Sequence, residues 1–328
     1  MIDSILPVIL ILLAIFMAYV SGANDGGAIL AVPARVADNG VGKHVVVLTL
    51  AVLIGPLLTT DVAATLVSGL FDFSSDNSAV IFMLGTGVGL ALVTLLTRVG
   101  LPTSLTLALV GGLTGAGLGG GASVDGRMVL RVLIIGLLAP LLGFGLAALG
   151  FVLLRRFGGI ASSSRTMKPM QGVAFFLLAL AYAINDGQKM IAIGAVAVLS
   201  LYPSVDILSG GEVLPRLATS LVLVVLFVLG LFSRIRKVGY RLGLGLARVG
   251  AIDALVSQAA ASSAVLASAA FGAPVSMTQS ISGAIVGSTM SQGAHRVRWT
   301  AVSKMLGAWL ITLPATFLAG YGLGFLLT

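Results

Sequence analysis

Ten long apolar segments divide this chain, and they limit its fold more than any other feature of the sequence. They cover residues 5–36, 44–70, 79–97, 101–120, 127–154, 170–202, 213–232, 249–271, 274–294 and 299–327. Each is about long enough to cross ~30 Å of hydrocarbon as a helix that rises about 1.5 Å per residue. Hydrophobic residues make up 58% of the chain and charged residues 9%, whereas soluble domains carry roughly a quarter charged residues. The sequence therefore predicts an all-α polytopic membrane protein surrounded by lipid.

Rare residue types exclude several kinds of site. The absence of cysteine excludes a disulfide framework, a thiolate metal site and a cysteine nucleophile. The two histidines, His44 and His295, stand beside basic residues at segment ends, and we interpret them as interfacial. The net charge of +8 is attributed to Lys and Arg on cytoplasmic loops rather than to nucleic-acid binding.

Two segments are longer than one plain span and contain a polar interruption. Gly22-Ala23-Asn24-Asp25-Gly26-Gly27 interrupts the first, and Asn185-Asp186-Gly187 interrupts the sixth. A glycine-flanked Asn-Asp pair is a poor helix sequence. We expect each helix to stop there and start again, which would give broken helices in the membrane.

A second motif also occurs twice. Residues 100–106 and 272–278 both follow the pattern Gly-x-Pro-x-Ser-x-Thr, and each is followed by a run of small residues. Small residues let helices approach closely in a bilayer. Because the Asn-Asp and Pro-Ser-Thr motifs recur in the same order, we infer two repeats of about five segments each, residues 1–160 and 161–328, with the joint near 155–169.

The basic residues give an orientation. Arg and Lys cluster in alternate loops, at 155–168 and 234–248 above all, and acidic residues cluster in loops of opposite parity. If the basic loops lie on the cytoplasmic side, ten crossings place both termini on the outer side of the cytoplasmic membrane. The two Asn-Asp segments then run in opposite directions, so the repeats are inverted, with the Pro-Ser-Thr helix starts and the site near the midplane. No cation precedes the first segment, which is therefore expected to remain as a helix rather than a signal peptide.

The paired Asn-Asp motifs are candidate cation sites. Asp25 and Asp186 lie inside apolar segments, where an ionisable residue costs several kcal/mol unless it is paired or hydrated. Helix capping alone would explain one such motif but not a matched pair. We expect Asp25 and Asp186, with Asn24 and Asn185, to bind Na⁺ or accept protons.

The Pro-Ser-Thr motifs suit an anion. Proline fits the first turn of a helix, and the hydroxyls that follow it can donate beside exposed N–H groups at the positive end of the helix dipole. Plain helix capping without a ligand is the alternative. Lys189 would neutralise the anion, pair with Asp186 or extend to an interface. The predicted substrate-binding residues are Thr103, Ser104, Thr106, Lys189, Ser276 and Thr278, with Asp61, Gln188 and Gln279 as weaker candidates.

Two other functions can be weighed against transport. An intramembrane aspartyl protease would bring two carboxylates to about 3 Å, but each Asp here follows Asn and recurs with a Ser/Thr turn. An anion channel needs a continuous polar path, and these segments are very apolar between the motifs. A transporter, not an enzyme, is the favoured class.

These motifs together resemble the inorganic phosphate transporter (PiT) family, in particular its bacterial members. The family's Gly-Ala-Asn-Asp is matched by residues 22–25, and its bacterial variant Asn-Asp-Ala-Gln-Lys is similar to residues 185–189. Residues 274–278 resemble its Pro-Val-Ser-Thr-Thr-His run, and residues 102–106 are a looser partner. The departures are Leu107 and Gln279 in place of histidine, Gln258 in place of glutamate, and Gly26-Gly27 in place of Val-Ala.

The resemblance implies a cation-coupled symporter of inorganic phosphate. The lost titratable groups leave Na⁺ and H⁺ both open as coupling ion, and they leave sulfate or another tetrahedral oxyanion open as substrate. No other cofactor is expected. A homo-oligomer is compatible with the sequence but is not indicated by it.

Overall fold

The computed structural model describes residues 2–32, 41–71, 77–99, 101, 103–157, 164–202, 208, 213–243 and 245–328. Within these residues the protein is helical, with two isolated β-bridges. The first half contains α1 (Ile2–Ser21), α2 (Gly27–Ala31), α3 (Gly42–Leu58), α4 (Asp61–Ala64), α5 (Ser78–Arg98), α6 (Leu105–Gly119) and α7 (Gly126–Phe157). The second half contains α8 (Ser164–Tyr182), α9 (Gln188–Leu201), α10 (Val213–Gly243), α11 (Ala251–Ala270), α12 (Met277–Met290) and α13 (Trp299–Phe325).

The helices do not break at the Asn-Asp pairs, and that prediction is wrong. Gly22–Gly26 joins α1 to α2 as a π-helical turn, and Ala183–Gly187 joins α8 to α9 in the same way. The residues on either side of both turns keep right-handed helical backbone angles. A π turn accommodates the poor helix sequence by adding a residue to one turn instead of ending the helix, and such turns occur frequently at functional sites.

A break does occur, but in a segment that was predicted to be continuous. The chain bends by 70° between Gly42–Leu58 and Asp61–Gly69. Thr59 has extended backbone and ends α3, and Thr60 precedes α4. In the first turn of α4, the N–H groups of Val62 and Ala63 donate to the side chain of Gln188. The bend is therefore stabilised by a residue from the other half of the sequence.

Seven of the described helices are long and apolar enough to cross a membrane, or eight if the bent pair is one span. Helices α6 and α12 have 15 and 14 residues, so each is only about 21–23 Å long. The prediction that all ten segments are full-length helical spans is wrong for these two, because each starts inside the protein after an extended stretch. Both short helices start within the predicted motifs but later than expected. Pro274 was predicted to lie in the first turn of its helix, yet it precedes α12, and Ser104 and Ser276 are the N-cap residues.

Each half contains an antiparallel helical hairpin that ends in one of these stretches. In the α5–α6 hairpin, Gly85 approaches the backbone of Gly112 and Gly89 approaches that of Ala108. Helices α11 and α12 form the second hairpin, in which Ser257 and Ser288 bring their hydroxyl oxygens to 3.1 Å. Glycine at such positions removes the Cβ that would hold two backbones apart.

The two halves are intertwined through glycine contacts. An added Cβ at Gly111, Gly115 or Gly119 of α6 would strike the backbone of α13 in successive turns. An added Cβ at Gly283 or Gly287 of α12 would strike the backbone of α7. Helix α6 thus packs parallel to the last helix of the second half, and α12 packs parallel to the last helix of the first half. This exchange is what a pseudo-two-fold axis requires; the inverted direction of the repeats and their boundaries at 1–160 and 161–328 stay predictions.

The outer faces of the long helices are apolar. Leu141 of α7 and Leu310, Ile311 and Leu318 of α13 are each more than 60% exposed. Exposed apolar surface on this scale requires a lipid environment, so the protein is an integral membrane protein. The placement of both termini outside stays a prediction. Pro102 of the first Pro-Ser-Thr motif and residues 158–163 of the predicted joint lie outside the described residues.

Candidate functional site

The four motifs meet in one buried cluster. Asn185 is fixed to the stretch before α12, because its Nδ2 donates to Ala273 O at 3.0 Å and its Oδ1 accepts from the N–H of Val275 at 3.1 Å. Asn24 is fixed in a similar way to the stretch before α6, donating to Thr103 O at 3.2 Å. The two asparagines therefore attach each π turn to the helix start in its own half.

Lys189 lies at the centre of the cluster and is fully buried. Its Nζ is 2.6 Å from Asp186 Oδ1 and 2.6 Å from Thr106 Oγ1, and it also donates to Val275 O. Three acceptors satisfy the three protons of an ammonium group. Since Lys189 comes from α9, Thr106 from α6 and Val275 from the stretch before α12, one ammonium joins both halves.

Asp25 lacks a partner of this kind. Its Oδ1 accepts from Asn24 Nδ2 at 2.7 Å, but its Oδ2 has no hydrogen-bond partner, although the residue is 2% exposed. The Ser21 and Tyr182 hydroxyls lie close to one another, with Tyr182 also close to Asp25. Both hydroxyl oxygens are buried without a hydrogen bond. Unpaired buried polar atoms are rare and costly, so these three oxygens are candidate ligands for a cation.

The charges of the cluster do not balance. Asp186 and Lys189 form a buried ion pair, and Asp25 lies within electrostatic range of both. With both carboxylates ionised, these three side chains carry a net charge of −1. An uncompensated carboxylate in a dry interior is expensive, so the arrangement favours uptake of one monovalent cation.

The hydroxyl groups cap and join the two helix starts. Ser104 Oγ accepts from the N–H of Leu107 at 3.1 Å, and Ser276 Oγ is 2.7 Å from Thr278 Oγ1. Thr106 donates to Val275 O at 2.8 Å, and Thr278 to Thr103 O at 3.5 Å. Each helix start therefore contacts the stretch before the other, which brings two positive helix ends and four hydroxyls together.

Other predicted site residues have structural contacts. The Thr103 hydroxyl is 2.7 Å from that of Thr312 in α13, so only its carbonyl oxygen contacts the cluster. Gln188 caps α4 through its Oε1 and donates to Ile184 O. Asp61 is exposed at the bend, with Thr59 Oγ1 donating to it at 2.5 Å. Gln279 is 4% exposed in the first turn of α12, where its N–H donates to Ser276 Oγ at 3.4 Å.

Two residues of the cluster, Ser21 and Tyr182, were missed by sequence reasoning. Each stands four positions before an aspartate, Ser21 before Asp25 and Tyr182 before Asp186. An alignment of the two repeats would show this shared offset. The signal is weak because a serine and a tyrosine are dissimilar and lie outside the Asn-Asp motifs.

The cluster offers oxygen atoms to a cation. Among the described residues no group of three or more His, Cys, Asp and Glu side chains is close enough to hold a metal ion. One free carboxylate with hydroxyl and carbonyl oxygens is a hard, weakly charged ligand set. It fits Na⁺, or a proton on Asp25, better than a transition metal.

Comparison with known proteins identifies the group to which the chain is related. The phosphate transporter family matches residues 40–320. A probable low-affinity inorganic phosphate transporter of Mycobacterium tuberculosis is 29% identical over 97% of this chain and 77% of the relative. A protein of Bacillus subtilis described in the same words is 21% identical over 96% of this chain and 95% of its own length.

A solved structure, that of a sodium-dependent phosphate transporter, has the same fold. It superimposes with a TM-score of 0.81, covers 98% of both chains and is 17% identical in sequence. The match over most of the sequence, together with the shared fold, leads to one conclusion. This chain belongs to the phosphate transporter family.

Proposed function

We propose that this protein transports inorganic phosphate across the bacterial cytoplasmic membrane, driven by a monovalent cation that binds at Asp25. The observation that carries the proposal is the buried Asp25 carboxylate, whose Oδ2 has no partner while Asp186 is paired with Lys189. The family and its named relatives support phosphate as the substrate. The coupling ion is Na⁺ or H⁺.

The charge of the cluster explains why cation and anion move together. A phosphate dianion near an ionised Asp25 would be repelled, by about 4 kcal/mol per pair of unit charges at 4 Å and an effective dielectric constant of about 20. A cation or proton at Asp25 removes that repulsion. The anion therefore binds well only after the cation, and this dependence is the basis of symport.

The anion position in this proposal is between the two helix starts. Ser104 and Thr106 of α6, and Ser276 and Thr278 of α12, are buried polar side chains at the positive ends of two helices. Thr106 and Thr278 now donate to the carbonyl oxygens of Val275 and Thr103, which a phosphate oxygen would replace as acceptor. The serine hydroxyls now accept from backbone N–H groups and keep a proton to donate. The Asp186–Lys189 pair is neutral, so Lys189 lowers the negative potential there without a free donor of its own.

Phosphate uptake by proteoliposomes tests this function. The purified protein is reconstituted, a Na⁺ gradient or a pH gradient is imposed separately, and radiolabelled phosphate uptake is measured with excess unlabelled sulfate as competitor. We expect uptake with one of the gradients and little inhibition by sulfate. Absence of phosphate uptake with either gradient would contradict the proposal.

The variant Asp25→Asn tests whether the coupling cation binds at this carboxylate. It removes the unpaired charge with little change of volume, and losing a charge-assisted contact of about 1.5–3 kcal/mol should lower cation-driven uptake about 10- to 150-fold. Asp253→Asn is the control. Asp253 is also buried, but it lies in the first turn of α11, where it contacts the N–H of Gly250 at 2.9 Å and Gln292 at 2.5 Å. Equal loss in both variants would show a general effect of buried carboxylates instead of a cation site.

A further inference from the structure

The surroundings of the Lys189 ammonium are those of a bound cation. Its three neighbours are a carboxylate oxygen of Asp186, the hydroxyl oxygen of Thr106 and the carbonyl oxygen of Val275. These are the oxygen types that bind alkali cations in proteins. The ammonium is fully buried and covalently attached to the chain, so, unlike a free ion, it cannot leave the site.

The same three types of oxygen occur a second time, on the residues that take the corresponding positions in the other half of the sequence. Asp186 corresponds to Asp25 in the Asn-Asp motif, and Thr106 and Val275 correspond to Thr278 and Thr103 in the Pro-Ser-Thr motif. The contact from Thr106 Oγ1 to Val275 O, at 2.8 Å, recurs as the contact from Thr278 Oγ1 to Thr103 O, at 3.5 Å. Asn24 Nδ2 donates to both Asp25 Oδ1 and Thr103 O, which holds the carboxylate beside that carbonyl.

The two sets differ in one residue. Lys189 follows Asp186 by three positions, and Ala28 follows Asp25 by three. Ala28 is buried, and its side chain ends at Cβ. The first-half set therefore has the carboxylate, hydroxyl and carbonyl oxygens but no ammonium, and the Oδ2 of Asp25 is left without a partner.

We propose that Lys189 is a tethered cation that permanently fills one of two equivalent cation positions, and that the set formed by Asp25, Thr278 and the Thr103 carbonyl is the one exchangeable position. The chain then couples phosphate movement to one monovalent cation at this cluster, where two open sets would take two. This inference rests on the proposed function, because it specifies how many cations that function uses.

The coupling ratio of the unmodified protein is the first test. Proteoliposomes are loaded with phosphate, and the phosphate gradient that just balances a given Na⁺ or pH gradient is measured at known membrane potential. We expect one cation for each phosphate. A ratio of two or more would overturn the tethered-cation role while leaving cation-driven phosphate transport intact, so the two claims fail separately.

Substitutions at the two corresponding positions are the second test. Lys189→Ala frees Asp186, so the cation dependence of uptake should steepen, with a Hill coefficient rising from about one to about two. Ala28→Lys places a second ammonium beside Asp25. Phosphate exchange across the membrane should then continue without the cation, while accumulation driven by the gradient is lost.

The contrary results are equally specific. An unchanged Hill coefficient and ratio in folded Lys189→Ala protein would show that Lys189 does not fill a cation position. Size-exclusion profiles of both variants report whether they fold. If neither folds, the coupling ratio of the unmodified protein still decides the question.

Discussion

At the scale of single residues, the central feature is a matched pair of aspartates with unequal surroundings. Asp186 is bound to Lys189 at 2.6 Å, and removing one partner of such a buried pair leaves a costly charge. Asp25 has a neutral asparagine on one oxygen and no partner on the other. The cluster therefore has one carboxylate that is paired within the second half, to a lysine whose ammonium also contacts Thr106 of the first half. It has a second, free carboxylate that can bind a cation.

Thr278→Val tests whether the helix-start hydroxyls bind phosphate. Valine keeps the shape of threonine but removes the hydroxyl, which lies 2.7 Å from Ser276 Oγ and 3.5 Å from Thr103 O. Losing a hydrogen bond to a charged oxygen costs about 1.5–3 kcal/mol, so the KM for phosphate should rise about 10-fold or more.

Thr289→Val in the same helix is the control. The Thr289 hydroxyl is buried near the other end of α12 and donates to Ile285 O at 2.7 Å. The KM for phosphate should stay within about 2-fold, because a bond from threonine to its own helix contributes little. Equal KM values in both variants would remove Thr278 from the binding site.

The sequence predicts most members of this cluster because both motifs recur in the same order. An ionisable residue in an apolar segment is so costly that Asp25, Asp186 and Lys189 are conspicuous in the sequence. The partner of Lys189 was not predictable, since three alternatives were open. The direction of the Thr103 hydroxyl, toward Thr312 and away from the cluster, depends on the packing of α13, which brings in a residue 209 positions further along the chain.

At the scale of helices, glycine determines how closely the elements pack. Gly111, Gly115 and Gly119 face the carbonyl oxygens of Leu313, Phe317 and Tyr321 at intervals of one turn. Backbone contact of this kind needs a position without a side chain in every turn. The stripe fixes α6 against α13 and thereby fixes the helix start at Ser104.

Gly115→Ala is expected to destabilise the protein. The added Cβ would lie 2.1 Å from Phe317 O, so the two helices must separate. Overpacking costs about 1–3 kcal/mol or more, which should lower the midpoint of thermal unfolding in detergent. Gly145→Ala in α7 is the control, since nothing lies within 4 Å of its added Cβ. It should be neutral or stabilising by up to about 1 kcal/mol, and a midpoint lowered equally in both would contradict the packing argument.

The positions of the helices were more predictable than their shapes. Within the described residues each of the ten apolar segments overlaps one helical region, but α8 begins before its segment, and α10 continues to Gly243 through residues that were predicted to be a basic loop. The Pro-Ser-Thr motifs were expected to start helices, and α6 and α12 begin directly after the serines of those motifs. The sequence favours a break at Asn24-Asp25, yet the helix continues through a π turn. Local propensity disfavours a regular α-helix there. The surrounding helices exclude water, however, so backbone groups without hydrogen bonds would be costly. The π turn is the smallest departure from the α-helix that keeps those groups bonded.

At the scale of the whole molecule, the halves of the sequence are not separate bodies. Helix α7 packs on α12, and α13 packs on α6, so each half ends on a helix that is packed into the other. Moving residues 1–160 as a block against residues 161–328 would open both glycine interfaces. Movements that expose the cluster to either side of the membrane therefore have to keep the α6–α13 and α7–α12 pairs together, dividing the molecule along other contacts.

Phosphate binding to the purified protein, measured by isothermal titration calorimetry with and without the coupling cation, tests the central claim most directly. Na⁺ is varied at fixed pH, with choline as replacement, and pH is varied at fixed Na⁺. The account predicts that phosphate affinity falls about 5- to 150-fold when the cation is withdrawn, with phosphate raising the cation affinity by the same factor. The same phosphate affinity across both series would contradict it, because the free carboxylate of Asp25 would then not oppose the anion.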